Sequence, residues 1–350
     1  MIMLRAGFIA ALSLAVAHTP VHAADAPAPR QIPAKTIPVP DTVSPELRAM
    51  IGAPPPPTWN VKPKSTEEWH QLVAAGAARA IAPLADARKR LGVTLEPATV
   101  AGVKAFILSP ASIAPENANR LLIHFHGGAY VLNPGEAGTR EGMIMAAYGR
   151  ARVISVDYRL APDHPYPAAI DDAIAVYREE IKSVKPQNIG VFGTSTGGGI
   201  TMALVLRARQ EGLPLPGAIA PGSPWVDITK TGDTYFTNEL VDNFQVGYEG
   251  FLEGSAEIYA HGHDAKDPLL SPVYGDLRGF PPTLITTGTR DLFLSLAART
   301  HRKLRQAGVV AELQVFEGMS HAQYSLNAFV PETKECFEEI QRFFDAHLGR

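Results

Sequence analysis

"NIGVFGTSTGG" (188–198) is the stretch from which the rest of the chain can be read. Asn188 leads a short apolar run that ends at Phe192. Gly193 follows at once, and Ser195 stands between Gly193 and Gly197. From Gly198 to Gln210 the apolar spacing becomes helical. The segment therefore reads as buried strand, abrupt turn, helix. Glycines framing a serine in that context have a steric reading. The turn is so sharp that side chains at 193 and 197 would strike neighbouring backbone, and Ser195 is exposed at its apex. The plain alternative is a tight turn without chemistry, and the flanking sequence has to separate the two.

The same rhythm recurs on both sides. "LLIHF" (121–125), "ARVISVDY" (151–158), "GAIAPG" (217–222), "TLITTG" (283–288) and "AELQVF" (311–316) are short apolar runs, most of them separated by helical patterns. In 166–181, Ile170, Ile174, Tyr177 and Ile181 form one apolar stripe, and 294–306 also reads as a helix. From Val93 the chain alternates in β fashion through "GVKAFILSP". Buried strands alternating with helices give an α/β fold with a mostly parallel sheet covered on both faces. Residues 224–282 break the rhythm with aromatics, Gly and Pro but no clean strand, the size of an inserted lid over the ligand-binding edge of the sheet.

A serine hydroxyl needs a base, and the base needs an orienting acid. Asp291 in "TTGTRDLF" follows the fifth run from 121 onward, and His321 in "FEGMSHAQ" follows the sixth. Each lies beyond the C-terminal end of its strand, so Ser195, Asp291 and His321 converge at one sheet edge. Acyl transfer also needs donors for the developing oxyanion. "HFHGGAY" (124–130) offers the backbone N–H groups of Gly127 and Gly128, and the N–H of Thr196 is the third.

The motifs "HGGAY" (126–130), "YRLAPDHPYPAAIDD" (158–172), "GTSTGG" (193–198), "SPWVD" (223–227), "DPLLSP" (267–272), "GTRDLF" (288–293) and "GMSHA" (318–322) occur in this order. In them the chain resembles the hormone-sensitive-lipase-like α/β-hydrolases, the branch with many small bacterial esterases. The resemblance runs from about residue 95 to the C-terminus. It implies an eight-stranded sheet, a helical cap, and a small-molecule ester as substrate, with short to medium acyl chains. It implies Ser195, Asp291 and His321 as triad, with Gly127, Gly128 and Thr196 as oxyanion donors. It implies no metal or organic cofactor, and a homodimer as in many members. Two departures stand out. Ala129 replaces a third glycine, and Thr194 and Thr196 flank the serine where many members have Asp and Ala. Part of the chain also looks like monoterpene ε-lactone hydrolases. A lactonase with the same triad is the alternative activity, and a non-catalytic small-molecule receptor is the alternative of another class. A peptidase is the further possibility on this fold.

The domain reading is a signal peptide at 1–23, a Pro-rich arm at 24–65, an N-terminal helical part of the cap at 66–92, and a catalytic domain at 93–350 with a cap insertion at about 224–265. Arg5, the apolar stretch Ala6 to Ala17 and Val21-His22-Ala23 read as a secretory signal cleaved after Ala23, with a secreted or periplasmic product that inserts in no membrane. An uncleaved anchor is the alternative. A net charge of −3 without a basic stripe argues against nucleic-acid partners. Cys336 is the one cysteine, which excludes an internal disulfide, and it reads as packing. "HGHDAKD" (261–267) has no zinc spacing and reads as a polar loop. His124 and His126 read as orienting the oxyanion loop, and Asp157 with Arg159 as a structural pair or network near the sheet edge. Tyr130, Trp225, Phe244 and Tyr324 read either as walls of a substrate pocket or as core.

Overall fold

The computed structural model describes residues 29–349, so the signal-like segment lies outside the described residues. Residues 29–37 carry no helix or strand, and the body begins at Pro38. Within the body the strands are β1 (Thr94–Val100), β2 (Val103–Ser109), β3 (Leu121–Phe125), β4 (Val153–Val156), β5 (Ile189–Thr194), β6 (Ala218–Gly222), β7 (Thr283–Gly288) and β8 (Ala311–Phe316). They form one eight-stranded sheet in the order β1-β2-β4-β3-β5-β6-β7-β8. β2 runs antiparallel to β1 and β4, and β4 through β8 are parallel. The early β-like stretch is thus a hairpin. Its two-residue turn has positive φ at Ala101 (50°) and Gly102 (82°), the geometry that suits a right-twisted strand pair.

The helices are α1 (Pro45–Ile51), α2 (Thr66–Leu91), α3 (Arg140–Gly149), α4 (Ala168–Glu180), α5 (Thr196–Gln210), α6 (Thr234–Thr237), α7 (Phe251–Ala260), α8 (Leu294–Gln306) and α9 (Pro331–His347). Strand side chains alternate between two cores, as the period of two requires. Leu121, Ile123 and Phe125 pack with α4, α5 and α8 on one face. Leu122 and Val153 pack with α1, α3 and α9 on the other, where Cys336 is fully buried.

The Pro-rich stretch is more than an arm. Inside it, Ser44 caps α1 through Leu47 N (3.1 Å) and its hydroxyl donates to Glu332 of α9 (2.6 Å). Leu47 and Ile51 are buried. Asn243 Nδ2 then donates to the Met50 and Ala53 carbonyls (2.8 Å each), and Lys62 pairs with Glu257 of α7 (2.7 Å). Polar contacts thus sew 44–62 onto the body. Among the described residues no helix is long and apolar enough to cross a membrane.

Candidate active site

Between β5 and α5 the backbone turns within one residue. Ser195 has φ 63° and ψ −121°, a conformation costing a non-glycine residue about 1–3 kcal/mol. Neighbouring backbone holds it there. Its N–H donates to Gly222 O (2.9 Å), and its carbonyl accepts from Gly199 N (3.0 Å) and Trp225 N (2.9 Å). The glycine frame has the steric cause expected from the sequence. A Cβ at Gly193 would stand 2.1 Å from Phe125 O, and one at Gly197 only 1.9 Å from the same oxygen.

Ser195 and His321 line one cavity of about 750 Å³, together with Gly127, Gly128 and Ala129. His321 follows β8, and its Nδ1 donates to Asp291 Oδ1 (3.0 Å), beyond the end of β7. Asp291 also accepts from Phe293 N (2.8 Å, Oδ1) and from the Thr287 hydroxyl (2.8 Å, Oδ2). Burial opposes its charge, but the charge and hydrogen bond of His321, with further help from Ser223 and Phe293 N, outweigh burial and hold the carboxyl below its ordinary value. Nδ1 is thereby occupied, and Nε2 is the ring nitrogen left for other work. Phe293 meets the ring edge-on (4.5 Å between centroids), and Phe244 stacks beside it (6.3 Å). Among the described residues the Ser195 hydroxyl makes no hydrogen bond. Catalytic contacts of that kind often tighten only around substrate. The N–H groups of Gly127, Gly128 and Thr196 likewise have no partner among the described residues.

The loop bearing the two glycines is braced from behind. His126 Nδ1 and Asn133 Nδ2 both donate to Gly127 O (2.9 Å each), and the Tyr158 hydroxyl donates to His126 O (2.7 Å). Burial, offset in part by the Gly127 bond, pushes His126 from 6.5 down to about 4, so it is neutral. His124 instead bonds Ser155 Oγ (2.9 Å) and Glu141 (3.3 Å). Ala129 keeps its N–H but takes φ 56°, where a glycine would be unstrained.

Two carboxylates that the sequence reading did not single out organise the site. Glu141 accepts from Thr194 N (3.0 Å) and from the Thr194 hydroxyl (2.7 Å), anchoring the end of β5 just before Ser195. Asp242, in the insertion between β6 and β7, is fully buried. Its Oδ2 accepts from both Leu292 N (2.8 Å) and His321 N (2.9 Å), and its Oδ1 from Phe244 N (2.8 Å) and Gln245 N (2.9 Å). Burial and then the Asp291 charge raise the Asp242 pKa, against the pull of His321 and the backbone donors. Neither carboxylate sits in a motif. The flanking sequence does not mark them either: Glu141 follows Arg140, and Asp242 stands between Val241 and Asn243.

Several expected positions fall elsewhere. Of the four pocket candidates, Phe244 lines the cavity, whereas Tyr130, Trp225 and Tyr324 are buried in the core. Tyr130 stacks on Tyr259 (3.6 Å), and the Tyr324 hydroxyl bonds the Thr194 hydroxyl (2.9 Å). The Thr196 side chain is buried and forms no part of the cavity wall, which leaves only its N–H for the oxyanion role. Asp157 and Arg159 do not pair with each other. Asp157 accepts from Gly135 N (2.7 Å), and Arg159 grips Asp172 (2.8 Å). Residues before Thr66, Trp59 among them, supply wall that the sequence reading gave to the cap alone. Among the described residues no cluster of His, Cys, Asp and Glu is arranged to hold a metal.

Comparison with known proteins identifies the family. The family profile of the alpha/beta hydrolase fold matches residues 122–325. An esterase of Acinetobacter venetianus is 32% identical over 275 residues, 76% of this chain and 88% of its own length. An esterase of known crystal structure superposes with a TM-score of 0.89 at 42% identity, covering 92% of this chain and 99% of the other. A hormone-sensitive lipase from a metagenome library gives a TM-score of 0.68 at 30% identity, with 81% and 99% covered. The chain belongs to the α/β-hydrolase fold family, within its bacterial hormone-sensitive-lipase-like esterases, and is a carboxylesterase-like hydrolase.

Proposed function

We propose that the protein hydrolyses carboxylic esters of short to medium acyl chain through an acyl-enzyme on Ser195. One observation carries this reading: the Asp291–His321 hydrogen bond (3.0 Å) opens on the same cavity as Ser195. His321 Nε2 takes the hydroxyl proton as Ser195 Oγ bonds to the ester carbonyl carbon. The carbonyl oxygen becomes an oxyanion and meets the N–H groups of Gly127, Gly128 and Thr196. As the intermediate collapses, the C–O bond to the alcohol breaks, and the alcohol leaves with the proton from His321. Water, deprotonated by His321, then attacks the acyl carbon, and Ser195 recovers its proton as the acid departs. Asp291 fixes the ring and stabilises its charged form. The N-terminal sequence supports a mature enzyme outside the cytoplasm.

The test is hydrolysis of p-nitrophenyl esters from acetate to palmitate, beside Ser195→Ala. We expect activity on the shorter chains and a loss of roughly 10⁴-fold or more in the variant. Undiminished hydrolysis by pure Ser195→Ala refutes the mechanism. Faster turnover of ε-lactones than of open-chain esters would shift the reading to a lactonase.

A further inference from the structure

The cavity that contains Ser195 also contains an arginine that no described residue engages. Arg140 opens α3, lines that cavity and is half-buried. Among the described residues it makes no ion pair and no hydrogen bond. Burial lowers its pKa, and no neighbouring charge offsets the effect. The other arginines withdrawn from solvent here are engaged: Arg88 with Glu136, Arg120 with Asp345, Arg207 with Glu211, Arg299 with Asp227, and Arg290 with the Pro38 carbonyl. Arg140 also stands at a helix N-terminus, where the peptide dipoles disfavour a cation. Neither helix stability nor a structural ion pair accounts for it.

The carboxylates that line this cavity are committed elsewhere. Glu141 serves Thr194 and His124, and Glu68 accepts from Lys64 N (2.7 Å) at the start of α2. A second arginine, Arg79 of α2, lines the same cavity and is exposed. A desolvated guanidinium without a partner is costly, and its planar fork matches a carboxylate with two parallel hydrogen bonds.

We infer that Arg140, supported by Arg79, is an anion subsite, and that the esters this enzyme prefers carry a free carboxylate on the arm away from the scissile bond. This rests on the hydrolase reading above and narrows its substrate class to half-esters of dicarboxylic acids and esters of carboxylated alcohols.

The experiment compares kcat/KM within matched pairs. Mono-p-nitrophenyl adipate against p-nitrophenyl hexanoate probes the acyl arm. 4-Carboxyphenyl butyrate against its methyl-ester analogue probes the alcohol arm. On at least one arm the anionic-to-neutral ratio should fall about tenfold or more in Arg140→Gln and recover in part in Arg140→Lys. A ratio unchanged within about twofold on both arms, or an equal loss on both members of each pair, overturns the subsite. Binding reads the subsite without turnover. Monomethyl adipate should bind Ser195→Ala protein more tightly than dimethyl adipate does, and Arg140→Gln or Arg140→Lys on that background should narrow the gap. If no ester is hydrolysed yet that gap appears, the hydrolase reading falls and the subsite stands. If neutral esters turn over and the gap is absent, the reverse holds.

Discussion

At the scale of single residues, the site depends on a few atoms with no room to move. Phe125 O lies where a side chain at either Gly193 or Gly197 would be. Gly197→Ala places its Cβ 1.9 Å from that oxygen, so β3 or the turn must shift. We expect a stability loss of about 2–4 kcal/mol, measured by urea denaturation, and ester turnover reduced well beyond what the residual folded fraction explains. Asp242 is the other fixed point. Asp242→Asn replaces one acceptor oxygen with an amino group facing N–H donors, at about 1–3 kcal/mol for each group left unpaired. Because Asp242 acts by positioning His321 and the Asp291 loop, kcat should fall at least about tenfold while KM changes little. A drop in stability with kcat per folded molecule intact would make Asp242 merely structural.

At the scale of elements, the loop after β3 carries its own acid sensitivity. His126 is buried and neutral, with a pKa near 4 against 6.5 for the free side chain. Between those values the unfolded chain binds a proton that the folded one refuses. Its contribution is therefore full above pH 6.5 and declines as pH falls toward 4, by up to roughly 3 kcal/mol. Urea midpoints measured from pH 8 to 4 should show this slope, and His126→Gln should flatten it. Elements of this kind were largely legible in the sequence. β3 through β8 were visible as apolar runs, and α4, α5 and α8 as helical patterns, because burial, on both faces of β3 to β7 and relaxed only at the edge strand β8, leaves a strong pattern. The β1–β2 hairpin read as one alternating stretch because its turn is only Ala101-Gly102, although that turn switches the inward positions from Ala98 and Val100 to Val103 and Ala105. That Ser195, Asp291 and His321 lie at one edge of the sheet was legible because each follows its own strand. The partners of Glu141, Asp242 and Arg159 were not, because their contacts are set by packing across the fold. Aromatic composition could not separate Phe244, on the cavity, from Trp225, in the core.

At the scale of the whole molecule, the cavity is walled by segments far apart in the chain, from Trp59 before α2 to Leu326 after His321. Trp59 is half-buried on that wall. Trp59→Ala should move the optimum of the ester series toward longer acyl chains and lower kcat/KM for acetate, because apolar contact is lost near small substrates and space is gained for large ones. An unchanged chain-length profile would remove Trp59 from the specificity wall. The four hydrogen bonds on the Asp242 carboxylate reach one step further. A roof that lifted would pull this carboxylate off Leu292 N and His321 N and leave both donors bare. Opening and turnover are then rival uses of one side chain. We expect small molecules to pass with the roof shut, through the mouth of the cavity, so that the width of a doorway rather than the swing of a lid decides which are admitted. Tethering the insertion to α2 by a chemical crosslink should accordingly leave the turnover of small esters untouched.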